Sequence, residues 1–260
     1  MKHWTIAALT GLTLLALTPA AHADETQAIK TETRYMQGFK DLEIDCSATT
    51  VFTVAPTTSV TITAPASELP LLLTKIEGDK LVVKHKESTS TLLNFFHMGD
   101  VKIAITGPNL RSIAILGSGS VTAPALTGDA IDLNVTGSGS ITATGATTKS
   151  LTLDVPGSGE IHLSGIDAST ASLSIKGSGA IEAAGKVDQV DSSIAGSGEI
   201  RASDLKAQSI KVEMSGSGEL HGYASKAAAV DLTGSGSAVI AGSPAQRTSR
   251  STGSGEIKFY

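Results

Sequence analysis

Leu133-Asn134-Val135-Thr136-Gly137-Ser138-Gly139-Ser140-Ile141-Thr142-Ala143 is the stretch whose reading decides the fold. Apolar residues stand two apart on both sides of the triplet, the period of a β-strand with one buried face. The triplet then returns. Gly-Ser-Gly starts at residues 117, 137, 157, 177, 196, 216, 234 and 253, in steps of 18 to 20 residues. Two positions after it come Val121, Ile141, Ile161, Ile181, Ile200 and Leu220, and two before it Ile115, Val135, Val155, Ile175, Ile194 and Met214. A flexible Gly/Ser linker would keep neither a period nor apolar residues at fixed offsets. Self-similarity at this length is the signature of a stacked-coil solenoid.

Each coil therefore reads strand, Gly-Ser-Gly, strand, loop. In the quoted stretch Val135, Gly137, Gly139 and Ile141 share parity, so a straight strand would turn both glycines inward. A bend is expected instead, with glycine supplying a missing Cβ or a positive φ. The serines from Ser118 to Ser254 then point outward in a stack. A further Gly at 145, 165 and 185 marks another bend. The resulting fold class is all-β: a single-stranded parallel β-helix (β-solenoid) with about 20-residue coils and three sheets in cross-section. Eight coils at the strand spacing rise about 38 Å.

Composition agrees. The 260 residues are 40% hydrophobic, 17% charged and 3% aromatic, with a net charge of -5. Such a chain is too apolar for disorder, and it lacks the basic patches and stacking aromatics of a nucleic-acid groove. One Cys excludes an internal disulfide framework. Cys46 follows Leu42 and Ile44 at even spacing, which predicts a buried thiol on the apolar face of a strand.

Residues 1–23 read as a secretory signal peptide: Lys2, an apolar run from Ile6 to Leu17, then Ala21-His22-Ala23 as the cleavage site. The run is short of a membrane span, so an exported protein that is not integral to the membrane is expected. Residues 24–110 form a β-rich part, read as first solenoid coils with longer loops, and 111–260 are the regular repeat. Glu77-Gly78-Asp79 predicts a hairpin turn. Ser67 to Leu73 predicts a short helix with Ser67 as N-cap. Leu92 to Met98 (Leu-Leu-Asn-Phe-Phe-His-Met) is the most apolar stretch after the signal, a loop packed on the stack or a contact patch. Arg247 to Thr252 loses the apolar pattern and reads as a cap that blunts the open end.

Phe39-Lys40-Asp41-Leu42-Glu43-Ile44, Gly78-Asp79-Lys80-Leu81-Val82-Val83, Val101 to Leu110 and the tandem Gly-Ser-Gly-x-Ile coils, in that order, resemble the auto-transporter adhesin head GIN domain family of bacterial exported proteins. The resemblance spans nearly all of the chain after the signal. It implies a right-handed parallel β-helix in the periplasm or on the cell surface of a Gram-negative bacterium. It carries over no catalytic residues. No translocator barrel follows the repeats, which speaks against self-secretion.

Glu160, Glu199, Glu219 and Glu256 each follow a triplet on the outer face, and Glu199 and Glu219 fall in adjacent coils. Stacked carboxylates could hold a cation or raise one pKa; the plainer reading is a solvated face. His162 and His221 face outward three coils apart, about 14 Å. His85 and His97 have no metal-ligand spacing with each other or with these. No catalytic, cofactor-binding or metal-binding residue is singled out, and no cofactor is expected. Thr142-Ala143-Thr144 has the form of an ice-binding face but does not recur coil after coil. Three functions follow. A non-enzymatic, adhesin-like or structural envelope protein, spreading its contacts over regular faces toward a protein or glycan surface ligand, leads. A β-helix enzyme acting on polysaccharide (lyase or hydrolase) through the outer carboxylates is the alternative. Self-association through the solenoid ends or the 92–98 patch is the third.

Overall fold

The inward rows decide the architecture. In the computed structural model, which describes residues 28–36, 38–86 and 100–260, Ile131, Leu133, Val135, Ile141, Ala143 and Ala146 of one coil are all at most 2% exposed. Each large one contributes about 1.5–3 kcal/mol by leaving water. The same rows continue above and below, so one aliphatic column runs through the stack. The expected signal peptide (1–23) and the Leu92–Met98 stretch, with His97, lie outside the described residues.

The regular part begins with β8 (Ser112–Ile115), β9 (Ser120–Ala123) and β10 (Leu126–Thr127). It continues with β11 (Ala130–Val135), β12 (Ser140–Ala143) and β13 (Ala146–Val155). Beyond these, β14 (Glu160–Gly177), β15 (Ala180–Gly196), β16 (Glu199–Arg201), β17 (Leu205–Gly216) and β18 (Glu219–Gly234) run through corners. β19 (Ser237–Ala241), β20 (Gln246–Gly253) and β21 (Glu256–Phe259) finish the stack. All pairings here are parallel and join residues about 20 apart. The chain is a β-solenoid of about seven turns with roughly 20-residue coils. Three faces recur: one before the triplet (β8, β11), one after it (β9, β12), and a short third (β10, start of β13).

Gly-Ser-Gly makes the corner between the first two faces for two separate reasons. Gly137 has φ 125°, a region closed to most side chains. The second glycine needs space: a Cβ on Gly159 would sit 2.4 Å from Val135 Cγ1 and 2.7 Å from the Gly139 carbonyl oxygen. Its missing Cβ leaves room for the valine of the coil below. The serine between them is exposed in every coil. Its backbone N–H donates down the stack, as from Ser158 to the Gly137 carbonyl (2.9 Å), so the serine amide at the tip of the corner is paired.

The first coil breaks this rule. β2 (Asp41–Asp45) pairs with β8 and β3 (Ala48–Val54) pairs with β9, which places Cys46-Ser47-Ala48 where later coils have Gly-Ser-Gly. The coil beneath it consists of β6 (Lys80–His85) and β7 (Val101–Gly107). These are joined through residues 86–100 rather than by a three-residue corner. Spatial order thus departs from chain order: β2–β3 is stacked between β6–β7 and β8–β9. β4 (Ser59–Pro65) pairs antiparallel with β7, β1 (Ile29–Arg34) with β4, and β5 (Leu72–Glu77) with β6. The first coils are therefore joined by an antiparallel cover over the N-terminal end of the column. Phe39 and Phe52, 1% and 2% exposed, fill the space under it.

The 77–79 hairpin is present, with Gly78 at φ 62°. The short helix differs from expectation. It is a three-residue 3₁₀ turn, Leu69–Leu71, capped by Glu68 and not by Ser67, with no side-chain cap bond. Leu72, its C-cap, is already extended (φ −87°, ψ 112°) and opens β5, which ends the turn after three residues. Cys46 is half-buried at the corner just past β2, not on the strand itself. At the other end, Arg247, Ser249 and Ser251 occupy the inward rows of Ala228, Val230 and Leu232. The Arg247 guanidinium lies over the Phe259 ring at 5.6 Å, so the last coil closes the column with polar groups.

Candidate functional site

The outward side chains of the second face carry the carboxylates. β-Pairing aligns Glu160 with Ala180, Glu199 and Glu219, and His162 with Glu182, Arg201 and His221. Glu199 and Glu219 are indeed cross-strand neighbours. Each, however, is engaged by the base two residues on: Arg201 Nη2 donates to Glu199, and His221 Nε2 lies 2.7 Å from Glu219. His162 stands between Glu160 (3.2 Å) and Glu182 (3.0 Å). Glu256 pairs with Lys258 (2.7 Å). These are exposed contacts within a strand or between neighbouring coils, each carboxylate engaged by a basic side chain, and Glu182, Glu199, Arg201, Asp204 and His221 line one shallow cleft between them. Among the described residues no group of three or more His, Cys, Asp or Glu is placed to hold a metal ion.

A second polar surface lies at the third corner, where no fixed triplet governs the turn. Its residues change from coil to coil. Along the axis come Asp129, Lys149, Asp167, Lys186, Asp188 and Lys206, lining a groove that Gln208 and Lys226 continue. Register sets Asp167 beside Lys186 and Lys186 beside Lys206. Lys149 donates to Asp129 (2.9 Å) and holds its carboxyl below the usual range by that bond and its charge. Lys226 donates to Gln208 (2.6 Å), whose amide donates to Asp188. The Lys206 ammonium rests 4.4 Å from the Tyr223 ring centre. Signs nearly alternate per coil, which supports the stack at low salt and offers an extended ligand both donors and acceptors. Residue spacing did not reveal this groove, because its members sit in the variable loop of the repeat.

On the first face, Arg111 forks onto Asp41 with bonds of 2.8 and 2.9 Å. Lys80 donates to Glu43 (2.6 Å). Asp132 is pushed up mainly by burial, then by Asp154 and Asp41. Burial also pushes the Cys46 thiol up to about 12, with Asp45 adding to the effect. That thiol is a packing group rather than a nucleophile at neutral pH.

Comparisons with known proteins agree with this geometry. The model of the family described as "Putative auto-transporter adhesin, head GIN domain" matches residues 38–244. A Parabacteroides distasonis crystal structure, described as a "putative lipid binding protein", is 25% identical with a TM-score of 0.82, covering 89% of this chain and 96% of that one. A "putative adhesin" from Parabacteroides merdae superposes with a TM-score of 0.80 at 20% identity, over 89% of this chain and 96% of its own. One from Bacteroides fragilis does so at 0.67 and 22%, over 91% and 99%. The last two share the fold. No curated protein matched the sequence.

Proposed function

The chain belongs to the family described as "Putative auto-transporter adhesin, head GIN domain", and from that premise we propose that it is a non-enzymatic, exported, adhesin-like binding or structural protein of the Gram-negative cell envelope. Its site is a surface, not a pocket. One observation supports this reading: the outward carboxylates are engaged by basic neighbours along the coils, Glu160 and Glu182 by His162, Glu199 by Arg201 and Glu219 by His221. A hydrolase or lyase needs positioned carboxylates or a metal-held acid cluster. Here the candidate carboxylates Glu199 and Glu219 are each engaged by a basic side chain of their own strand, Arg201 and His221. Contacts spread over coils suit a long hydrophilic partner such as a glycan or a protein surface. The lipid-binding description of the Parabacteroides distasonis relative would ask for an apolar cleft, and the third-corner groove is polar. The edge strand β1 at the N-terminal end also supports self-association as a subsidiary property, whereas the C-terminal coil is blunted by polar groups. The test is a polysaccharide panel assayed for both retention and turnover. Retention without new reducing or unsaturated ends is expected. Turnover abolished by Glu199→Gln or Glu219→Gln would establish the enzyme instead.

A further inference from the structure

The out-of-order N-terminal stacking builds one surface that no single segment encodes. β1, β4, β7, β3, β9 and β12 lie side by side, and no register shift interrupts them. Their outward positions form two rows. One reads Thr31, Thr63, Lys102, Thr49, Ser120 and Ser140; the other reads Thr33, Thr61, Ala104, Val51, Thr122 and Thr142. Six strands span about 24 Å. Lys102 is the one charge in these rows, in a chain of net charge -5. Charge resumes abruptly in the next strand with Glu160 and His162. Hydroxyls are tied across strands, Thr31 to Thr63 at 2.9 Å and Thr33 to Thr61 at 3.2 Å. Tyr35, two residues past Thr33, leaves 84% of its surface in water beside the rows.

We propose that this six-strand threonine face binds an uncharged polysaccharide chain, with Tyr35 as a stacking platform at its border. The proposal rests on the binding-module reading and names the face and the ligand class. Three physical arguments point there. A sugar ring presents hydroxyls and C–H groups together, as threonine does, so both halves of each side chain find a partner. β-Branched side chains held by cross-strand bonds have little rotamer freedom left to lose on docking. Finally, an uncharged face gives no return to an ionic partner, whose charges would lose water unpaired. A protein partner is disfavoured, because the rows hold no Trp, Phe, Met or Arg anchor of the kind that dominates protein interfaces. Ordered water on an ice surface is disfavoured because Ala104, Val51 and Lys102 interrupt the hydroxyl grid.

The experiment measures binding of the purified chain to a panel of uncharged glucans, xylans and mannans, with alginate and heparin as charged controls, at low and high salt. Uncharged polymers should be retained, with an affinity that salt changes by less than about twofold. Thr61→Lys and Thr122→Lys, both at outward positions, should each weaken binding at least about tenfold, and Tyr35→Ala should weaken it too. Lys211→Gln, on the first face in β17, should leave it unchanged, and Lys149→Glu tests the third-corner groove as the rival surface. Thermal unfolding of each variant checks the fold, and Thr142→Lys in the regular repeat stands in if Thr61→Lys unfolds. Binding that survives the threonine changes but is lost with Lys149→Glu overturns the face assignment and leaves the binding-module reading intact. Retention of alginate or heparin alone, lost in high salt, overturns the ligand class. No retention of any polymer defeats this proposal and removes the glycan arm of the broader reading. A dimer, or shaped ice crystals, abolished by Thr122→Lys assigns the face to a second copy or to ice, and either result overturns the proposal.

Discussion

Gly159 and Gly128 show how differently one residue type can act. A Cβ on Gly159 would meet Val135 at 2.4 Å, whereas at exposed Gly128 the nearest atom is the Ala130 oxygen at 3.5 Å. Gly159→Ala should therefore lower stability by about 1–3 kcal/mol through overpacking. Gly128→Ala should be neutral or stabilise by up to about 1 kcal/mol by restricting the unfolded chain. Urea midpoints decide, and equal effects would count against the corner argument. Cys46 supplies a pH dependence. Burial pushes its folded pKa up to about 12, from an ordinary value of 9.0. The folded state then holds the proton more tightly, so its contribution is complete below pH 9.0 and is lost as pH rises toward about 12. Wild type should lose stability across that window more steeply than Cys46→Ala. The thiol should also resist alkylation at neutral pH until the protein is unfolded.

At the scale of elements, the Gly-Ser-Gly corner, its flanking strands and the 77–79 hairpin were legible because each depends on local parity and turn chemistry. The 67–73 helix was half legible: the chain turns extended at Leu72 to enter β5, and Glu68 rather than Ser67 took the cap. The terminal strand β20 is where element and environment conflict on purpose. Its inward rows hold Arg247, Ser249 and Ser251 in place of the aliphatic column. Polar groups there deny a second stack a dry surface to extend. Ser249→Val combined with Ser251→Leu should restore the column to its end and cause concentration-dependent association, read by sedimentation velocity. A variant that sediments like wild type at every concentration would remove the capping role.

At the scale of the whole molecule, a solenoid is stabilised by neighbours, so its ends open before its middle. Amide exchange should be slowest in the central coils, from Leu151 to Ile194, and fastest in β20 and β21. The antiparallel cover should protect β6 and β7 better than the polar C-terminal coil protects β19. Uniform exchange along the stack would mean global cooperativity instead.

The 20-residue period and the parity of its apolar rows determined, without any coordinates, that the chain coils into a parallel β-solenoid with serines outward, because every inward residue repeats the environment of the one a coil away. Only the tertiary structure decided that β2–β3 sits between β6–β7 and β8–β9, that the third corner gathers Asp129, Lys149, Asp167 and Lys186 into one groove, and that threonines from β1, β4, β3 and β9 share one face. Those juxtapositions join segments with no common repeat, and which of them meet depends on how an end of the apolar column is kept from water, a property of the assembled stack rather than of any stretch within it.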